Sequence, residues 1–98
     1  MSKSGLKSVI KTYKDYFEHT NYEPKQFPKD RYTLFYRASH KDLFNHCYFM
    51  ILQMEKFVDE DEQKVHRWLG FIQGCFWALG EATIESLIDL NVYIDKED

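Results

Sequence analysis

A chain of 98 residues has room for one hydrophobic core, and burial of roughly 60 to 68 % of the unfolded surface leaves such a domain modest stability. With 44 % hydrophobic and 17 % aromatic residues, the composition excludes a disordered polymer. The formal net charge of −3 hides an asymmetry: residues 1–41 hold nine Lys or Arg against four Asp or Glu, and residues 42–98 hold four against twelve. A basic first part and an acidic second part can steer partners, pack on each other, or associate head to tail.

Ser2 or Ser4 can cap a first helix near residues 4–19. Leu6, Val9, Ile10, Tyr13 and Phe17 form its apolar stripe, opposed by Lys3, Lys7, Lys11 and Lys14, while Gly5 weakens the first turn. Two prolines in the run Asn21 to Lys29 interrupt any helix, so residues 20–38 are expected to be an aromatic linker in which Tyr22 and Phe27 pin the loop down. Within it, Tyr32, Leu34 and Tyr36 alternate with Thr33, Phe35 and Arg37. That pattern fits a short strand, but a lone strand leaves unpaired edges, and an irregular or turn-like segment fits the all-helical remainder better.

Ser39 offers a helix start with Asp42 three residues on, and Leu43, Cys47, Met50, Ile51, Met54, Phe57 and Val58 give a helix near 40–58 its buried side. The acidic run Asp59 to Glu62 turns the chain, with Asp61 placed to cap the next helix and its neighbours suited to that helix's positive end. The helix near 62–79 is the most apolar of the chain. Val65, Trp68, Leu69, Ile72, Cys75, Phe76 and Leu79 fall on one side, and Phe71, Trp77 and Ala78 widen the stripe, which makes this helix the expected centre of the core. Gly80 is placed to end it in a left-handed cap. Gly70 and Gly74 lie one turn apart inside it, where each glycine costs about 1 kcal/mol relative to alanine. Their spacing points to close packing of another backbone, either the preceding helix or a second subunit. Thr83 caps a short last helix, 84–90, stopped by Asn91, and residues 95–98 form a frayed acidic tail.

The fold class expected is therefore all-α. It is one domain over residues 1–98, with three main helices, a short fourth, and an antiparallel hairpin of the two central helices across the acidic turn.

Catalytic chemistry finds little footing. His19, His40, His46 and His66 form no metal-ligand pattern, and Cys47 and Cys75 can approach each other only if their helices pair. Cys47 beside His46 is not a dyad, because adjacent residues on a helix diverge by roughly 100 degrees. No glycine loop cradles phosphate and no paired carboxylates recur as in a di-iron bundle, so neither cofactor nor metal is expected. Both cysteines sit inside apolar patterns, as reduced thiols do; no signal-peptide pattern opens the chain and no apolar run is long enough to cross a bilayer. A soluble, cytoplasmic, non-enzymatic protein without a membrane partner is the expectation.

The best functional lead is the basic, aromatic first third. Lys11, Lys14, Arg31 and Arg37, with Tyr32 and Tyr36, would give a partner protein arginine and aromatic anchors. The same face could instead stack and neutralise a nucleic acid or nucleotide. The plainer alternative is that these aromatics simply close the core. A structural homodimer is a further expectation, since the helix 62–79 has more apolar circumference than a small bundle covers.

The stretch Arg67-Trp68-Leu69-Gly70-Phe71-Ile72-Gln73-Gly74, with Trp77, Leu79 and Gly80, then Thr83-Ile84-Glu85 and Asn91, resembles the C-terminal part of small accessory proteins of tailed bacteriophages. The likeness covers about residues 65–91 and assigns no residue a role. It implies a host-cell context in which the protein binds a host protein, as an inhibitor of host defence or a modifier of host machinery.

Overall fold

The computed structural model describes residues 2–27 and 39–80. They form three α-helices, α1 (Lys3–Glu18), α2 (His40–Phe57) and α3 (Glu62–Ala78), with no strand among the described residues. The alternating segment 30–37, the expected helix 84–90 with its Thr83 cap, and the tail 95–98 lie outside them.

Each helix starts where a short polar side chain can satisfy a backbone donor. The Gly5 N–H donates to Ser2 Oγ (3.1 Å), the Asp42 N–H to Ser39 Oγ (3.0 Å), and the Lys64 N–H to Asp61 Oδ1 (3.0 Å). At the other end of α3 the chain turns out at Gly80, whose φ of +78° lies in the left-handed region that glycine adopts without a Cβ penalty. The Leu79 and Gly80 N–H groups bond to the carbonyls of Cys75 (3.0 Å) and Trp77 (3.1 Å), closing the last turn.

The core is continuous across the three helices. α1 contributes Leu6, Val9, Ile10, Tyr13 and Phe17; α2 contributes Phe44, Cys47, Met50, Ile51 and Met54; α3 contributes Val65, Leu69, Ile72, Cys75 and Phe76. The centre is not α3, as its apolar content suggests, but α2, against which both other helices pack. Phe71 and Trp77, the residues that widen the α3 stripe, are 46 % and 54 % exposed. At about 100 degrees per residue Phe71 stands on the flank of α3 and Trp77 on its outer side, so neither shares the core face of Ile72.

Two kinds of contact seat α1. Toward its C-terminal end, Phe17 stacks on Tyr48 with centroids 5.0 Å apart, and Phe76 meets Tyr13, Tyr16 and Phe44 edge-on, each at 5.1 Å. Toward its N-terminal end, Lys7 Nζ lies 3.0 Å from Asp59 Oδ1, and Lys3 lies 3.9 Å from both Asp59 and Glu62. Lys14 bonds both oxygens of Glu55, at 3.2 and 3.0 Å. Part of the charge asymmetry is thus answered inside the chain, where the basic side of α1 meets the acidic turn.

Residues 20–27 are held to α2 by both apolar and polar contacts. Tyr22 stacks on Phe44 (5.3 Å) and Phe27 is buried. The Glu23 N–H donates to Asn45 Oδ1, and the Phe27 N–H to His46 Nδ1, both at 2.9 Å.

Candidate functional site

Of the basic aromatic face expected from the sequence, Arg31, Tyr32, Tyr36 and Arg37 lie outside the described residues. Lys11 is exposed on α1. Lys14 is engaged by Glu55, whose hydrogen bond and charge raise the lysine's pKa. The α1 aromatics offer no stacking platform: Tyr13 is buried, and Tyr16 packs against Phe17 and Phe76. The plainer reading, that aromatics close the core, holds for these described ones.

Gly70 and Gly74 are exposed, and a Cβ at either would meet no atom of the described residues within 4 Å. The close approach to the preceding helix is therefore absent. The physical reason is the helical phase: both glycines sit on the outer side of α3, away from Val65, Ile72 and Phe76, which face the core.

The structure assembles a different surface. A groove of about 350 Å³ between α2 and α3 is lined by Gln26, His46, Phe49, Met50, Trp68 and Phe71. Its walls are rings: His46 stands edge-on to Phe71 (6.4 Å) and Phe27 (6.2 Å) and lies beside Phe49 (6.0 Å). Trp68 is fixed edge-on to Phe57 at 5.0 Å, with Lys64 Nζ 4.6 Å from the Phe57 centroid and 4.9 Å from that of Trp68. Because His46 Nδ1 accepts from the Phe27 amide, the neutral imidazole carries its proton on Nε2. Burial lowers the His46 pKa in the same direction. The groove thus joins apolar ring faces to the polar side chains of His46 and Gln26, which suits an apolar side chain presented beside a hydrogen-bonding group.

The periodicity of the sequence located Trp68 and Met50 on helices but not His46 and Asn45 as anchors of the preceding segment. Both act on backbone amides 19 and 22 residues away, and no local pattern encodes that.

The chemistry of the remaining polar groups is quiet. Among the described residues no group of three or more His, Cys, Asp or Glu is arranged to hold a metal ion. Cys47 and Cys75 do come together across α2 and α3 as free thiols; the hydrogen bond to Cys75 and burial push the Cys47 thiol up, which makes it a poor nucleophile. His46 Nδ1 is committed to the Phe27 amide, and His66 is exposed on the outside of α3.

No family model, no curated protein and no solved structure matches the chain. Among the described residues no helix is long and apolar enough to cross a membrane.

Proposed function

We propose that this protein acts without catalysis, by binding another protein through the aromatic groove of α2 and α3. The observation that carries the reading is the groove itself, where Phe49, Trp68 and a 46 % exposed Phe71 surround a single polar ring. Aromatic anchors around a small number of fixed polar groups are the usual composition of an energetic centre in a protein interface. The scaffold that presents it is best read as an antiparallel hairpin, since Phe57 meets Trp68 at one end while Phe44 meets Phe76 at the other. A short helix at 84–90 completes the proposed bundle. The likeness of residues 65–91 to phage accessory proteins supplies the kind of partner, a host protein, and the role, modulation of host machinery or of host defence. A nucleic-acid or nucleotide reading rests on Lys11, Arg31, Arg37, Tyr32 and Tyr36. It is weakened by the pairing of Lys7 and Lys14 with carboxylates.

Affinity capture from bacterial lysate, with and without nuclease, tests the proposal. The expected result is one stoichiometric protein that survives nuclease and is lost with Phe71→Ala, a change at an exposed position that leaves the fold intact. Recovery of nucleic acid alone, or full capture by Phe71→Ala, overturns it.

A further inference from the structure

The outer side of α3 presents Arg67, Gly70, Gly74 and Trp77, all exposed. Their spacing is three, four and three, symmetric about the midpoint between the two glycines, and at about 100 degrees per residue the four fall in a sector of about 80 degrees. Nothing among the described residues explains the glycines. They weaken the middle of a helix, yet an added Cβ would meet no atom of the described residues within 4 Å. Nor does anything among the described residues explain a tryptophan left 54 % exposed next to the last residue of the helix.

We propose that this face pairs with the same face of a second copy, the two α3 helices running antiparallel about a two-fold axis that passes between Gly70 and Gly74. The symmetry of the spacing makes the surface self-complementary. The rotation that sets Gly70 of one copy against Gly74 of the other also sets Arg67 of each over Trp77 of the other. The two glycines let the helix axes come nearer than the 8–10 Å usual for larger contact residues. On either side, a guanidinium that makes no ion pair among the described residues meets the exposed ring face of an indole, a favourable cation–π arrangement made twice per dimer. The complementarity is between cation and ring, and it exists only in this antiparallel register. A parallel pairing would bring Arg67 against Arg67. The pairing is independent of the groove between α2 and α3.

The test is sedimentation velocity on the full chain over a wide concentration range, with native mass measurement. The expected result is a dimer whose fraction rises with concentration. Replacing both glycines (Gly70→Ala with Gly74→Ala) raises the thermal midpoint of the dilute protein, because alanine favours the helix, and at the same time weakens the dimer on the order of ten-fold. Those two effects have opposite signs, and a role confined to the monomer gives only the first. Trp77→Arg alone sets Arg against Arg and dissociates the dimer, whereas Trp77→Arg combined with Arg67→Trp restores it, since each contact is again Arg on Trp. A chain that sediments as a monomer throughout overturns the proposal, and so does a dimer indifferent to the Trp77→Arg substitution. Should the glycine variant lose its helical signal, the Arg67 and Trp77 exchange still decides.

Discussion

The buried Tyr13 and the half-buried His46 carry opposite pH signatures. The Tyr13 hydroxyl is buried without a hydrogen bond of good geometry, and burial raises its pKa from 10.0 to about 12, with a smaller opposing effect from Gln73. The folded state therefore holds this proton more tightly than the unfolded one. Its contribution is fully present below pH 10.0 and is lost as pH rises through about 12, on the order of 2 to 3 kcal/mol in all. Tyr13→Phe should leave stability at neutral pH within about 1 kcal/mol of the parent and flatten that alkaline decline, as read by urea unfolding across the interval. His46 behaves the other way. Its neutral ring accepts the Phe27 amide and burial depresses its pKa, so the stabilisation is complete above 6.5 and is lost as pH falls through the lower folded value. Exchange of the Phe27 amide with deuterium should accelerate relative to other protected amides as the solution is acidified below 6.5, and a folded-state His46 titration above 6.5 would contradict this account.

Among the elements, the helices were readable in the sequence because each carries both a stripe and a cap. The buried set of α3, Val65, Leu69, Ile72, Cys75 and Phe76, is the stripe that three-and-four spacing marks, and Ser39, Asp61 and Gly80 stand at the ends where their chemistry places them. What spacing cannot give is which apolar residue beyond the stripe finds a cover, so Phe71 and Trp77 read as core and are exposed. The cap of α3 offers a direct check on the local account. Asp61→Ala removes the acceptor for the Lys64 amide and should cost about 1 kcal/mol, lowering the thermal midpoint by roughly 4–8 °C, while Asp61→Asn should keep most of that stability. The charge asymmetry allows the basic part to pack on the acidic one, but which pairs do so is not legible in the sequence, for a different reason. Lys7 and Asp59 lie 52 positions apart, and only packing of α1 on α2 brings them to 3.0 Å.

For the molecule as a whole, the division of labour is between an inside that is aromatic and an outside that is unevenly so. Phe17, Phe44 and Phe76 join α1, α2 and α3 through mutual ring contacts, so that among the described residues the aromatics of α1 are spent in the core. The candidate site was correspondingly hard to read. Its lining comes from the linker, α2 and α3 together, and Gln26, His46 and Phe71 are neighbours only once all three are in place. Lys11 and Lys14, by contrast, were easy to find as a row of charge, yet Lys14 is engaged with Glu55.

The two tryptophans of the chain, nine residues apart on one helix, stand in unlike surroundings. Trp68 is held between Phe57 and Lys64, whereas Trp77 is 54 % open to solvent. The protein is for that reason its own optical gauge. Iodide should quench the red-shifted part of the emission, from Trp77, and leave the bluer part, from Trp68, largely untouched, with Trp77→Phe abolishing the quenchable fraction. A ligand that settles in the groove will then perturb one colour and a copy that covers the outer side of α3 the other, so the two events can be told apart in a single cuvette without any label.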